Sequence, residues 1–401
     1  MGKILLNMSL VKRNISFVFI FLLVCCFLSG SLTDFYKKGL IKLEAEPNFG
    51  RETDWNTLLY DFRFDLLYSP QGDLFVAFSP NHCIYKFNPE GKYVTKFGQK
   101  GQGPGDFYYP GDLSILDGRH LVIGEYATAR RISLFDFDGN FIKLLKTENS
   151  SFYSTALKNG KIAYTTHKYG PRENFSQKLT TAIIIKDVKT SREKAVDEIN
   201  RERKHTVLEG GIRFVSVVES GEVIITQTKG GNLLVGLTTS PELKIYSPEG
   251  ELLQAFRLKM NPIPVTRDYM RKYKESIIRN WEEQKLNKRM IEAVKKSSLD
   301  NVFDEYVPFY KEILVDSEGN ILIFKYTDCF GACLEIFQVY SPEGQYICDV
   351  TIENGIYDFQ IDRRFKNIIF TSQAIYGLFP LKDSEDFEMR LVRVNVPSHE
   401  K

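Results

Sequence analysis

The sequence predicts an all-β fold, and three observations carry the prediction. Aromatic side chains make up 13% of the 401 residues, with 30 Phe and 21 Tyr, and such rings favour the pleated, half-buried surfaces of strands. A hairpin phrase, two β-rich runs around a short Asp/Ser/Pro/Gly turn, recurs along the chain. Its turns recur at a regular step: Gly72, Gly118, Gly160, Gly221, Gly319 and the turn near Arg364 stand 46, 42, 61, 98 and 45 residues apart, against about 40–50 for one propeller blade. Together they predict a six-bladed β-propeller of four-stranded antiparallel blades with a helical insertion at about 266–298.

The first segment is an address rather than a blade. Lys3, Lys12 and Arg13 precede a charge-free run, Ile15 to Leu28, of 14 residues, shorter than the roughly 20 a membrane-crossing helix needs. Ser29, Gly30 and Ser31 follow, the small residues of a secretory cleavage site. Residues 1–31 are therefore expected to be a signal peptide cut after Ser31. Lipidation at Cys25 or Cys26, with attachment to a membrane, is the alternative, although Val24 stands where lipoprotein signals prefer a small residue. Removing the signal takes three basic residues and no acid, so the formal charge of +2 becomes −1. No nucleic-acid footprint remains. The expected location is periplasmic, extracellular or on the cell envelope.

The remaining 32–401 is expected to be one domain and a monomer. LIKLEAE at 40–46 is a lone strand-like segment, expected to complete the last blade, which shows only three recognisable strands. Paired hairpin phrases follow. LLYSPQGDLFVAF (66–78) precedes IYKFNPEGKYVTKFG (84–98), and LSILDGRHLVIGEY (113–126) precedes ISLFDFDGNFIKLLK (132–146). VSVVESGEVIITQT (215–228) precedes LKIYSPEGELLQAFRL (243–258), and ILVDSEGNILIFKY (313–326) precedes FQVYSPEGQYICDVTI (337–352). Weaker copies lie at 154–167 and 357–372. The stretch 266–298 lacks Gly and Pro and carries an apolar stripe at Met270, Tyr273, Ile277 and Trp281, the helical period. It is expected to be a lid over part of its own ring.

FGQKGQGPGDFYYP, through Phe97, Gly98, Gly101, Gly103, Pro104, Gly105, Phe107 and Pro110, resembles the blade-linking segment of NHL-type six-bladed β-propellers, especially their exported and lipoprotein-like bacterial members. The resemblance, extended by the blade pattern over about 40–396, implies the fold and says almost nothing of activity. Only the first linker preserves the motif. A phosphate-cradling role for its glycines is disfavoured, because the P-loop lysine and following helix are missing.

Blade geometry sorts the loops onto two faces. Turns within hairpins are short and fall on one face; links between hairpins and between blades are long and fall on the other, and function concentrates in such elaborated loops on a rigid scaffold. The long loops expected there include HKYGPRENFSQK, INRERKHTVLEGG, TKGGNLLVGLTTSPE and AIYGLFPLKDSEDF (374–387), and Tyr126, Arg130, Arg131, His167, Tyr169, Arg172, Lys229, Tyr326, Asp328 and Tyr376 are the candidates on that face. Aromatics mixed with guanidinium groups suit a protein, peptide or glycan partner.

Alternation along innermost strands points Arg63, Asp65, Asp112, Ser114, Arg213, Glu312, Asp358 and Gln360 at the channel. A salt-bridge network or water-filled channel is the expectation, and a carboxylate Ca²⁺ site the alternative. A binding module or an envelope scaffold is favoured over a metal-dependent hydrolase or lyase. None of the five histidines lies on an expected innermost strand, and no GxSxG or HExxH motif occurs. No other cofactor is implied. Of the cysteines beyond the signal, Cys329 and Cys333 flank a tight Phe-Gly-Ala segment and could pair.

Overall fold

Six antiparallel sheets form the ring in a computed structural model, which describes residues 31–43, 46, 49–50, 64–125, 130–147, 151–173, 175–208, 213–215, 221–283, 288–326, 335–353, 367–380 and 389–396. The first blade is Phe64–Tyr68, Leu74–Phe78, Cys83–Phe87 and Tyr93–Phe97. The second is Pro110–Leu116, His120–Glu125, Arg131–Phe135 and Phe141–Lys146. Ser151–Leu157, Lys161–Glu173, Ser176–Asp187 and Glu193–Val207 make the third, with Arg213–Val215 added outside. The fourth is Val223–Gln227, Leu233–Leu237, Glu242–Tyr246 and Leu252–Arg257. Tyr310–Val315, Ile321–Lys325, Glu335–Tyr340 and Tyr346–Glu353 make the fifth, and the sixth shows Ile368–Phe370, Ala374–Pro380 and Met389–Asn395.

A blade clamped between two neighbours must be apolar on both faces, while its rim faces water. Leu74–Phe78 is accordingly buried at every position, whereas Tyr93–Phe97 on the rim is exposed or half-buried throughout. Six apolar cores fill the six blade junctions. Phe75 meets Phe107 and Phe135 between the first and second blades, and Leu116 meets Tyr164 at the next junction. Ile183 packs with Val235, Ile245 with Ile323, and Phe337 with Phe370. Leu378 and Phe87 close the ring between the sixth blade and the first. Each such side chain contributes about 1.5–3 kcal/mol on burial, so the junctions hold the ring.

Seven of the hairpin turns share one construction. The first residue accepts, through a side-chain oxygen, the N–H four residues on, at 2.8–3.3 Å: Ser69, Asn88, Asp136, Thr228, Ser247, Asp316 and Ser341 all do this. The fourth residue is glycine with positive φ, as at Gly72 (92°), Gly231 (77°) and Gly319 (98°), the conformation that a Cβ disfavours.

Two blades differ from the sequence reading. In the fourth, the first hairpin does not turn at Gly221. Val223–Gln227 is itself the channel-side strand, Thr228–Gly231 is its turn, and Leu233–Leu237 is a strand where a long loop was expected. Lys229 therefore belongs to the short-turn face. In the sixth, Ile368–Phe370 pairs with Ala374–Pro380 through a turn at Thr371, whose hydroxyl caps Ala374 N at 3.0 Å. The expected loop at 374–387 thus begins as a strand.

The expected closing segment is divided. Leu40–Lys42 pairs in parallel with the outer strand of the fifth blade, through Leu40–Thr351 and Lys42–Glu353, because Ile41 and Leu43 alternate into the core there. Glu46 reaches the sixth blade, donating its N–H to Arg393 O at 3.0 Å and ion-pairing with that guanidinium.

The insertion is two helices, Arg267–Glu283 and Lys288–Lys296. Tyr273, with Met270, Ile277 and Trp281, packs on Leu208, Val294, Val302 and Phe303. The stripe therefore covers the link leaving the third blade and the segment entering the fifth. No described helix is long and apolar enough to cross a membrane.

Candidate functional site

The Gly-rich linker is held from below by a buried ion pair. Glu125, which ends the second strand of the second blade, accepts Tyr108 N at 2.6 Å and Tyr109 N at 3.3 Å. Arg131 grips both oxygens of Glu125 and donates to Gly101 O at 2.9 Å. Phe107 fills the junction, and a Cβ on Gly98 would lie 2.4 Å from its ring. Arg131 is therefore a buried anchor of the linker rather than a free contact for a partner. Its neighbour Arg130 is exposed, with φ of 51°.

Tyr376 is likewise internal. Its ring stacks on Tyr68, centroids 4.8 Å apart, within the core that closes the ring, and burial pushes its hydroxyl up to about 12. Tyr326 is half-buried, its hydroxyl 3.3 Å from that of Tyr269 on the insertion.

The channel acids serve the backbone of the next blade. Asp65 accepts Leu113 N at 2.5 Å, Asp112 accepts Ser154 N at 2.9 Å, and the Ser114 hydroxyl accepts Ala156 N at 2.9 Å. Asp112 sits at a bulge with φ of 45°, which takes it out of its own ladder and aims its carboxylate at the third blade. Glu312 accepts Ile313 N in its own strand at 2.9 Å. Arg213 is not channel-lining: its strand pairs with His205–Val207 at the outer edge of the third blade. Tyr126, Arg63, Asp358, Gln360, Asp328, Cys329 and Cys333 lie outside the described residues. No group of three or more metal-ligating side chains occurs among the described residues.

At the short-turn end of the channel, the innermost strands of five blades surround a cavity of about 280 Å³. Leu67, Ile115, Val315 and Ile369 make its wall largely aliphatic, and Ser114 there already bonds the third blade.

The long-loop face is built differently from the expectation. HKYGPRENFSQK and INRERKHTV are largely strand, not loop, so the third blade extends into a three-stranded arm of 13, 12 and 15 residues against five or six in the corresponding strands of the first two blades. The register sets His167 opposite Thr181 and Ile199, Tyr169 opposite Leu179 and Arg201, and Arg172 opposite Gln177 and Arg203. Cross-strand partners share a face, so His167, Tyr169, Arg172, Arg201 and Arg203 stand together on one side. The other side carries Lys204, which bonds Phe303 O at 2.9 Å and pairs with Asp304 at 2.5 Å beside the helical insertion.

Electrostatics divides the five residues. Arg201 is held by Gly221 O and by Thr181 Oγ1 at 3.2 Å, and burial lowers its affinity for a proton. His167, 3.0 Å from Thr181 Oγ1, is held down at about 4, first by burial and then by the Arg201 charge. It is a neutral ring at pH 7. Tyr169 is 43% exposed, Arg172 is exposed and Arg203 half-buried. Arg201 and Arg203 escaped the sequence reading, although the alternation Arg201, Arg203, His205 is a period-two signal.

A family model described as a 6-bladed beta-propeller, DUF5128, matches residues 65–221, the span of the first three blades. Among solved structures, a protein of Bacteroides fragilis described as exported is 14% identical, with a TM-score of 0.49, over 90% of this chain and 99% of its own. A DUF4221 family member from Bacteroides vulgatus is 11% identical, with a TM-score of 0.48, over 88% and 94%. Virginiamycin B lyase from Staphylococcus aureus is 12% identical, with a TM-score of 0.39, over 83% and 94%. No curated protein matches.

Proposed function

We propose that this six-bladed β-propeller is an exported cell-envelope binding module that captures an acidic protein segment on the arm of its third blade. One observation carries the reading: exposed Tyr169 stands on the same face as Arg172 and Arg203, two guanidiniums with no ion partner among the described residues. Forked guanidinium donors match carboxylates, and an adjacent ring supplies rigid contact area. Arg201, fixed by Gly221 and Thr181, holds the rows in place. The secretory pattern of residues 1–31 and the linker's likeness to that of exported NHL-type propellers support the envelope location.

The test is capture from an envelope fraction by the purified propeller, with a fluorescent oligoglutamate peptide titrated in parallel as a defined acidic probe. Arg172→Glu with Arg203→Glu is expected to weaken both about tenfold or more at unchanged Tm, and added salt to weaken the wild type. Undiminished peptide binding by the double variant would overturn the site. Capture of a neutral glycan that survives high salt would overturn the acidic-segment assignment.

A further inference from the structure

We propose that the chain is processed between Ser31 and Leu32, and that the α-ammonium freed on Leu32 pairs with the Glu318 carboxylate, locking the N-terminal segment across the fifth and sixth blades. This goes beyond the binding reading and rests on its export half.

The first turn of the fifth blade is shaped to receive this segment. Leu32 N donates to Glu318 Oε1 at 2.8 Å, Thr33 Oγ1 to Asn320 Oδ1 at 3.2 Å, and Tyr36 OH to Asp316 Oδ2 at 3.1 Å. The side chains of Leu32 and Tyr36 are wholly buried, in the core that joins Phe337 of the fifth blade to Phe370 of the sixth. Leu32 is also the residue after Ser29-Gly30-Ser31, the cleavage signal read from the sequence. The carboxylate thus stands where the new terminus would arise.

Hydrolysis by a signal peptidase adds water across the Ser31–Leu32 amide. The carboxylate leaves with the signal, and the amine on Leu32 takes a proton. The contact to Glu318, charge-assisted until then through its carboxylate alone, becomes an ion pair with both partners charged. Cleavage also removes the contacts of Ser31, whose hydroxyl accepts Asp34 N at 3.1 Å and whose carbonyl accepts Phe35 N at 3.1 Å; the ion pair replaces them as the anchor. The charged and titratable groups around the terminus are Asp34, paired with Lys37 on the same helix, Asp316 and Glu318 on the turn, and Cys348 on the outer strand.

The experiment takes the full-length chain expressed in an exporting bacterium, sequences its mature N-terminus, and compares Tm against pH for the mature wild type and Glu318→Gln. The glutamine keeps an acceptor oxygen and loses only the charge. The ammonium is stabilised by its partner, so its folded pKa lies above the usual 7.7–8.0 of an α-amine; the contribution is full below about 8 and is lost as pH rises through the higher value. The proposal expects Leu32 as the first residue, with E318Q melting about 1–3 °C lower at pH 7 and the gap closing by about pH 10. A first residue other than Leu32, or a lipid-modified cysteine, overturns the processing site while leaving export intact. A chain retained uncleaved in the cytoplasm overturns export itself. Leu32 as first residue with a gap that is absent or constant with pH overturns the ion pair.

Discussion

Arg131 closes on both carboxylate oxygens of Glu125 and, through the same guanidinium, on Gly101 O at 2.9 Å. One buried pair therefore fixes both the end of a blade strand and the glycine-rich linker that reaches it. Removing one partner strands the other charge inside the protein, which costs about 3–5 kcal/mol. Arg131→Ala is expected to lower the unfolding free energy by that amount in urea titration. Arg131→Lys should recover little, since an ammonium cannot span Oε1, Oε2 and Gly101 O together. Oligoglutamate binding at temperatures where the variant stays folded should match the wild type, because Arg131 lies away from the third-blade arm.

The acids of the channel act between blades. Asp112 is aimed at Ser154 N by its bulge, and Asp65 at Leu113 N. A hydrogen bond to a charged group is worth about 1.5–3 kcal/mol. Asp112→Ala is expected to lower stability by that amount in denaturant titration. Elemental analysis of the purified protein should give the same metal content with and without the substitution.

How far the fold was legible turns on the hairpin turns. In the first, second and fifth blades, strong aromatic and β-branched runs flank a turn with one glycine, and those blades stand where the phrases put them. The fourth blade offered two competing turns, Glu-Ser-Gly ending at Gly221 and Thr-Lys-Gly-Gly ending at Gly231. Only the second has the capping oxygen three residues before the glycine, through Thr228 to Asn232 N. Period-two patterning alone could not separate them, because the short run Leu233–Leu237 is continuously apolar and is flanked by residues common in loops. The site was less legible than the fold. The ion pair of Arg131 with Glu125 and the stack of Tyr376 on Tyr68 join residues across a loop or from opposite ends of the chain, so each appeared in sequence as a lone surface residue. His167, Tyr169 and Arg172 were found because they lie together in one segment, though that segment was read as a loop; Arg201 and Arg203 needed the pairing register.

Gly231 tests the corrected turn. A Cβ there would lie 2.6 Å from Lys158 Cβ, and φ is 77°. Its carbonyl also accepts Lys158 N at 3.0 Å from the third blade. Gly231→Ala meets both conformational strain and a neighbouring backbone that is itself bonded to the turn. A loss of about 2 kcal/mol or more is expected in denaturant titration.

His167 makes stability depend on acid. Its folded pKa of about 4 lies below the ordinary 6.5 of a histidine, because burial and Arg201 both oppose a charged ring. Between those values the unfolded chain binds the proton and the folded one does not, so stability rises with pH across that window. Lowering the pH from 7 to 4 is expected to remove up to about 3 kcal/mol through this residue. His167→Gln, which keeps a polar group facing Thr181 but cannot titrate, should flatten the profile between pH 4 and 6.5 while leaving the slope below pH 4 to the carboxylates. Urea midpoints measured at half-unit pH intervals read this directly. Wild type and variant profiles that run parallel from pH 6.5 to 4 would assign the acid sensitivity to other groups. The same ring stays neutral at pH 7, so the arm's charge there comes from its guanidiniums and lysines, and oligoglutamate binding should not change between pH 6 and 8.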